Sequence, residues 1–297
     1  MTATVEEPSA EQRATEFLWL DLTRRCQLEC TPCFNSSGPQ GTHGTMTRED
    51  WIAVIGQAAE CGVRRVQFIG GEPTMHPDAL SLADRALALG LRVEVYSNLV
   101  HISEAWWALL QHKGASLATS YYSNRPDEHN AVTGRPSHAR TLANIKKAMR
   151  LDIPLRAGIV AAHGSERAEE AKRELAELGV AHISIDRVRP FGRGAQGQAP
   201  DPSALCGQCG DGRAAVGPDG GVSPCVFSAD WMGVGNVRST PLPAILGGPE
   251  LAEARATVRR AVRVQQAWCP PDRCDPGCEP NEECEPGVGR SECDPRN

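Results

Sequence analysis

Residues 22–34 read Leu22-Thr-Arg-Arg-Cys26-Gln-Leu-Glu-Cys30-Thr-Pro-Cys33-Phe34 and carry three cysteines at the spacing C-x3-C-x2-C. A cubane iron–sulfur cluster has four irons and usually four thiolate ligands, so three clustered thiolates leave one iron without a protein ligand. An open metal position is typical of a site that performs chemistry. The alternatives are half of a zinc site or plain core residues. Zinc sites usually add a second ligand pair a dozen or more residues on, whereas only His43 follows nearby.

A second motif, Gly70-Gly71-Glu72-Pro73, follows the apolar run Val66-Gln-Phe-Ile69. Alone it is a weak signal, because Gly and Pro mark turns of every kind. Its position is informative, since it ends the strand after the one that leads into the cysteines. Two glycines let a backbone approach a ligand closely, and Glu72 supplies an acceptor for an ammonium group.

The two motifs, in this order, resemble those of the radical S-adenosylmethionine superfamily. The resemblance implies that Cys26, Cys30 and Cys33 hold one [4Fe-4S] cluster whose free iron chelates the amine and carboxylate of S-adenosylmethionine. It also implies that the segment Gly70–Pro73 binds the methionyl amine of that cofactor.

Strands and helices alternate through the first two thirds of the chain, which favours an α/β fold with a parallel sheet and helices outside. Six such units predict a partial (β/α)6 TIM-like barrel, the shape that the superfamily uses, with its active site at the carboxyl ends of the strands. Three of the helices end on a glycine directly before a strand, the usual C′ stop. The predicted strands cover residues 17–22, 65–69, 91–97, 115–121, 155–160 and 182–187, and the helices are opened by Thr47, Pro77-Asp78, Ser103, residue 137 and Ser165.

Further candidates stand at the ends of the third and fourth strands. Ser97 and Asn98 are either cofactor ligands or plain turn residues. In relatives of this architecture, the end of strand four and a following arginine contact the ribose and carboxylate of S-adenosylmethionine. The resemblance therefore assigns Ser120 and Arg135 to the cofactor, with Arg140 as the rival arginine.

The chain departs from the superfamily pattern at two places. Relatives usually carry an aromatic residue just before the third cysteine, whereas Pro32 stands there and Phe34 follows it. Tyr121 and Tyr122 replace an Asp-Gly that is frequent in peptide-modifying relatives, and they either shape the substrate pocket or pack in the core. Cys61, at a predicted helix end away from the chemistry, is expected to be a buried structural thiol.

After residues 188–192 the alternation stops and eight cysteines appear in a Gly- and Pro-rich segment, which needs metal to become ordered. The run Gly220-x4-Cys225, on a predicted hairpin, resembles the opening of the auxiliary-cluster domain called SPASM. The late cysteines depart from that pattern, with spacings x4, x3, x5 instead of x2, x5, x3, and zinc in this segment stays an alternative. The resemblance implies two auxiliary [4Fe-4S] clusters, the first held by Cys206, Cys209, Cys225 and Cys284 and the second by Cys269, Cys274, Cys278 and Cys293.

Bulk properties narrow the class of protein. The chain has 297 residues, a formal net charge of −6 and twelve cysteines. A net negative charge does not indicate the basic surface that nucleic-acid binding requires. The first 16 residues do not have the pattern of a signal peptide and no apolar stretch reaches membrane-spanning length, so we expect a cytoplasmic protein whose cysteines bind metal rather than form disulfides. We expect an extension over residues 1–16, the barrel over 17–190 and the auxiliary-cluster domain over 191–297.

The resemblance implies a 5′-deoxyadenosyl radical that abstracts hydrogen from a substrate carbon, most readily for oxidative crosslinking or cyclisation of a ribosomally made peptide. Epimerisation or oxidation of a single residue or small molecule is an alternative, and an iron–sulfur electron carrier without radical chemistry is another. A reductase, flavodoxin or ferredoxin is the expected electron donor. About 25 residues precede Cys26, too few for a leader-binding domain, so we expect a separate leader-binding protein or a leader that docks on the barrel.

Overall fold

The computed structural model describes residues 14–267, and the side chains as far as Val262. Nine strands form one sheet in these residues: β1 (Phe17–Asp21), β2 (Arg65–Ile69), β3 (Arg92–Tyr96), β4 (Ala115–Tyr121), β5 (Leu155–Val160), β6 (His182–Asp186), β7 (Arg213–Val216), β8 (Gly221–Ser223) and β9 (Gly235–Asn236). Eight helices accompany them: α1 (Arg48–Glu60), α2 (Ala79–Ala88), α3 (Glu104–Leu110), α4 (Pro126–Thr133), α5 (His138–Arg150), α6 (Ser165–Glu177), α7 (Leu242–Leu246) and α8 (Pro249–Ala267).

The sheet order is β6-β5-β4-β3-β2-β1-β7-β8-β9. Strands β1 to β6 are parallel, β7 adds to β1 in parallel, and β8 and β9 follow as antiparallel strands. Because β1 is flanked by β2 and β7, it cannot pair with β6, and the barrel stays open. The predicted open barrel of six β–α units is confirmed, as is the predicted hairpin before Cys225, formed by β7 and β8.

The two faces of the parallel strands have different chemistry, as a period of two requires. The helix side is apolar and fully buried, with Leu20, Phe68 and Val95 among its members. The inner side is polar: Arg156 donates two hydrogen bonds of 2.8 Å to Glu94. Burial opposes ionisation of Glu94, but these bonds and the charge of Arg156 outweigh it, so its pKa lies below the ordinary value.

Local signals explain most of the helix boundaries. Thr47 and Asp50 form the predicted capping box at the start of α1, with reciprocal contacts of 3.1 and 2.9 Å. Ser103 caps α3 through the backbone of Trp106. The predicted stop glycines Gly62, Gly90 and Gly179 all have positive φ.

One sequence prediction about helices needs correction, and one helix was not predicted. Ser165 does not cap α6; Gly164, at φ +91°, takes the cap position and Ser165 is already helical. Glycine adopts this positive φ at no steric cost, which is why it takes the position before the helix. Helix α4 was not predicted, because its polar sequence has a weak apolar period. Among the described residues, no helix is both long and apolar enough to cross a membrane.

His129, a residue of α4, is buried, with only 1 % of its surface exposed. Burial, and then the nearby His138, lowers its pKa to about 4. In the unfolded chain the ring binds a proton near its ordinary pKa of about 6.5, so unfolding takes up a proton between these two values. The free energy of unfolding should therefore fall as the pH drops through this window, by about 3 kcal/mol in total.

Urea unfolding at about pH 7 and about pH 4.5 measures this dependence. In His129→Gln we expect the difference between the two pH values to shrink, because glutamine binds no proton. An undiminished difference in the variant would assign the acid sensitivity to other groups.

Candidate active site

The cysteine loop, residues 22–37, follows the carboxyl end of β1. Its turn is held by the Cys33 N–H, which donates to the Cys30 carbonyl at 3.2 Å. Cys26 is buried, and Cys30 and Cys33 are half-buried. Burial raises the pKa of the Cys26 thiol to about 12, with the Glu72 carboxylate and the other two thiols adding to the effect. Burial, and then Cys33, raises the pKa of Cys30 to about 11.

This donor set fits an iron–sulfur cluster. Three thiols lie close enough to influence one another, and thiolates are the ligands that clusters of this kind take. Iron replaces the thiol protons on binding, which removes the cost of burying free thiolates. Within residues 14–262, no three His, Cys, Asp or Glu side chains are arranged around a single metal ion. A cluster has no such requirement, since each thiolate binds a different iron.

Hydrogen-bonding groups surround the sulfur atoms. The Leu28 N–H donates to the Cys26 sulfur at 3.4 Å, and the Asn98 amide donates to the same sulfur at 3.6 Å. The Cys33 thiol donates to Asn35 Oδ1 at 3.1 Å. The Tyr122 side chain lies beside Cys30.

The Gly70–Pro73 segment packs directly on the cysteine loop. The Gly71 N–H donates to the Thr23 carbonyl at 2.6 Å, and the Glu72 N–H donates to the Arg25 carbonyl at 2.9 Å. A Cβ on Gly71 would lie 2.3 Å from the Arg25 oxygen. The glycines thus allow the backbone of the cysteine loop to pack closely against this segment. The sequence analysis had instead assigned them to the close approach of a bound ligand.

Glu72 is completely buried and joins this segment to the end of β3. One carboxylate oxygen accepts from the Thr74 N–H at 3.1 Å and its hydroxyl at 2.7 Å, and the other accepts from the Asn98 N–H at 2.9 Å. Burial raises the pKa of Glu72, although these bonds oppose the shift. Two carboxylate oxygens offer about four acceptor positions, so capacity for one more donor remains.

The remaining cofactor candidates are spread more widely. Ser97 is buried and its hydroxyl accepts from the Leu99 N–H at 3.0 Å. Ser120 faces the barrel interior and pairs with the Tyr96 hydroxyl at 3.1 Å. Arg135 is exposed and lies 3.9 Å from the Glu29 carboxylate, on the rim of the cysteine loop. Arg140 is exposed on α5. Ser97 thus lies near Glu72, whereas Ser120 contacts Tyr96 and Arg135 contacts Glu29 of the cysteine loop.

The two adjacent tyrosines point to opposite faces of the sheet. Tyr121 is fully buried on the helix side, with its hydroxyl 2.8 Å from His138 Nε2 and 2.7 Å from the Glu174 carboxylate. It is a packing residue, which corrects its assignment to the substrate pocket. Tyr122 is half-buried and faces Cys30.

Arg193 was not picked out in the sequence. It lies after β6 and joins that part of the chain to the cysteine loop. Its side chain donates to the Cys30 carbonyl at 2.8 Å and to the Ser37 carbonyl at 2.7 Å, and its backbone N–H donates to the Cys33 carbonyl at 2.9 Å. Gly192, at φ +53°, permits this approach, because a Cβ there would lie 2.4 Å from the Phe34 carbonyl. The sequence signal that could have indicated Arg193 is its position between two glycines, shortly after β6.

The cysteines of the second domain also meet in part. Cys209 and Cys225 are buried with their sulfur atoms 3.2 Å apart, and the exposed Cys206 lies beside Cys209. Cys61, expected to be buried, is only half-buried, because it caps the end of α1 at the surface. The other auxiliary candidates, Cys269, Cys274, Cys278, Cys284 and Cys293, lie outside the described residues.

An aromatic contact links the two cysteine sites. Phe34, next to Cys33, packs edge-on against Phe227 with ring centroids 5.0 Å apart, and Phe227 is two residues from Cys225. This explains the use of an aromatic residue after the third cysteine. A cavity of about 1110 Å³ is lined by polar side chains on the inner face of the barrel and by Cys209 and Cys225.

Comparison with known proteins identifies the family. The model of the Radical SAM superfamily matches residues 20–178, more than half of the chain. The chain belongs to the radical SAM superfamily. A second model, SPASM, an iron–sulfur cluster-binding domain, matches residues 206–278. These two matches indicate S-adenosylmethionine and iron–sulfur clusters as the cofactors of this radical SAM protein.

Two curated relatives are PqqA peptide cyclases. That of Streptomyces rochei is 28 % identical over 182 residues, 61 % of this chain and 50 % of the relative. That of Rhodopseudomonas palustris is 30 % identical over 138 residues, 46 % of this chain and 37 % of the relative. The radical SAM chain described here thus spans at most about half the length of these relatives.

Solved structures share its fold. SuiB of Streptococcus suis bound to the precursor peptide SuiA superposes with a TM-score of 0.70 at 15 % identity, covering 84 % of this chain and 67 % of SuiB. The protein anSMEcpe with bound AdoMet gives a TM-score of 0.64 at 15 % identity, covering 83 % of each chain. At this identity the likeness concerns the fold.

Proposed function

We propose that this radical SAM protein is an enzyme that crosslinks or cyclises a ribosomally made peptide by oxidation. The observation that carries the proposal is the convergence of three thiols at the carboxyl end of β1, bonded to the segment around Glu72. The PqqA peptide cyclases and SuiB with its precursor peptide support a peptide as the substrate.

The radical-site cluster would be held by Cys26, Cys30 and Cys33. When bound, the cluster and S-adenosylmethionine supply a 5′-deoxyadenosyl radical that abstracts a hydrogen atom from a substrate carbon. The residues of the chain then have three tasks. Gly71 and Arg193 hold the cysteine loop in place, Glu72 accepts a hydrogen bond from the methionyl ammonium, and the buried surroundings of Cys26 exclude water.

The domain division at 17–190 and 191–297 belongs to the same proposal, and the two family matches lie within these bounds. Cys206, Cys209 and Cys225, with Cys284, would hold one auxiliary cluster. The contact of Phe34 with Phe227 gives a packed route between the two cysteine sites. An oxidised product requires one electron to leave the substrate after hydrogen abstraction, and this route leads toward a cluster that can accept it.

The second auxiliary cluster would take Cys269, Cys274, Cys278 and Cys293. A separate leader-binding protein and a flavodoxin, ferredoxin or reductase as electron donor complete the proposed partners. Each is a protein that co-purification with the tagged chain can detect.

The test combines cofactor cleavage with product mass. Reconstituted protein, reduced with dithionite, should release 5′-deoxyadenosine from S-adenosylmethionine. Co-expressed precursor peptide should lose two hydrogens per modification, one to the deoxyadenosyl radical and one as a proton and an electron. Unchanged mass with deuterium uptake from heavy water would instead indicate epimerisation. Absence of any cofactor cleavage would indicate an electron carrier.

A further inference from the structure

Two neighbouring strands, β3 and β4, each end beside one of the clustered cysteines. Asn98 follows β3 and donates its amide N–H to the Cys26 sulfur at 3.6 Å. Tyr122 follows β4 directly and lies beside Cys30. Parallel pairing of the strands brings these two side chains to the same edge of the sheet.

The orientation of the Asn98 amide is fixed by its surroundings. Its oxygen accepts from the Val100 N–H and from the Gln27 amide, each at 3.0 Å. The two ends of an asparagine amide are assigned from such networks, and the Val100 backbone N–H, which can only donate, identifies the oxygen. The NH2 group is therefore the end that faces Cys26. The backbone is held as well, because the Asn98 carbonyl accepts from the Thr141 hydroxyl at 2.9 Å.

Tyr122 is held in place by its ring, which packs edge-on against His129 with centroids 5.4 Å apart. Its side chain lies beside Cys30. A thiolate has no proton to give, so in a contact between the two groups only the phenol O–H can donate.

We propose that Asn98 and Tyr122 set the reduction potential of the radical-site cluster by hydrogen bonding to the thiolates of Cys26 and Cys30. The inference rests on the proposed cluster. One-electron reduction, by a flavodoxin-class donor or by dithionite, adds negative charge that spreads onto the thiolates. Donors to these sulfurs stabilise the reduced form more than the oxidised form, and hydrogen bonds to sulfur are among the determinants of cluster potential.

The structure offers a matched pair of variants for the test. Tyr122→Phe removes the hydroxyl that faces Cys30, whereas Tyr121→Phe removes a hydroxyl on the opposite face of the sheet. Asn98→Leu removes the donor to Cys26 without adding charge. If loss of the Val100 contact prevents Asn98→Leu from folding, Tyr122→Phe decides the question alone.

The measurement is a redox titration of the full-length reconstituted protein, followed by electron paramagnetic resonance. The radical-site signal is the one that changes when S-adenosylmethionine is added, because only that cluster has an open iron. The midpoint potential should be lower in Tyr122→Phe and Asn98→Leu, and unchanged in Tyr121→Phe. Unchanged potentials in the first two variants, or an equal drop in Tyr121→Phe, would overturn the inference. A wild-type protein without this signal would overturn the proposed function as well.

Discussion

Cys30→Ala should abolish cleavage of S-adenosylmethionine altogether. Cys30 is the middle ligand of the loop, and its carbonyl also receives the Cys33 N–H and the Arg193 side chain. Two thiolates cannot retain a four-iron cluster with a single open position, so the cofactor loses its binding site. We expect no 5′-deoxyadenosine above the protein-free background, measured by chromatography after reduction with dithionite.

Cys61→Ala is the matched control for that experiment. Cys61 is also a half-buried thiol, but it lies at the end of α1, before β2, and its sulfur contacts the Ala58 carbonyl at 3.5 Å. Its removal should leave cofactor cleavage at the wild-type level. Cleavage by Cys30→Ala at a rate similar to that of Cys61→Ala would contradict the assignment of the radical site.

Gly71→Ala should give the second largest effect. The new Cβ would lie 2.3 Å from the Arg25 oxygen and 2.7 Å from its carbonyl carbon, and both are backbone atoms that cannot rotate away. The two hydrogen bonds between this segment and the cysteine loop would then lengthen or break. We expect a loss of about 3 kcal/mol in unfolding free energy from the overpacking and the lost bonds. Displacement of the cofactor site should lower the cleavage rate by about a hundredfold.

Gly56→Ala is the control for steric effects. Gly56 lies within α1, and a Cβ there meets no atom within 4 Å. Alanine favours a helix over glycine by about 1 kcal/mol, so this variant should be slightly more stable than the wild type. Urea unfolding and the rate of 5′-deoxyadenosine release compare the two variants. If Gly71→Ala matched Gly56→Ala in both, the close packing of the two loops would be unimportant.

Local signals made most of the fold predictable. Three strands have the predicted bounds: Arg65–Ile69, Ala115–Tyr121 and Leu155–Val160. Each is a short apolar run between turn residues, which leaves little choice of where the strand begins and ends. The capping box at Thr47 and the stop glycines are likewise fixed by neighbours in sequence. Helix α4 was missed because the burial of His129 and Val132 depends on tertiary contacts, which no local pattern reports.

The cysteines proposed as ligands could be picked out from the sequence, whereas the residues that support their loop could not. Sequence spacing singles out Cys26, Cys30 and Cys33, because a loop must present them together. The run Gly192-Arg193-Gly194 marks a turn, but the Arg193 contact joins residues more than 150 positions apart, so this local pattern could not identify its partner. The separation of Tyr121 from Tyr122 depends on where β4 ends, since adjacent residues of a strand face opposite sides.

Iron and sulfide per chain, measured after anaerobic reconstitution, test the central claim that two sets of cysteines hold clusters. The account predicts about twelve irons per wild-type chain and about eight when Cys26, Cys30 and Cys33 are all replaced by alanine. An iron content unchanged by the triple substitution would contradict the radical site. About four irons with bound zinc in the wild type would contradict the auxiliary clusters and favour redox-neutral chemistry.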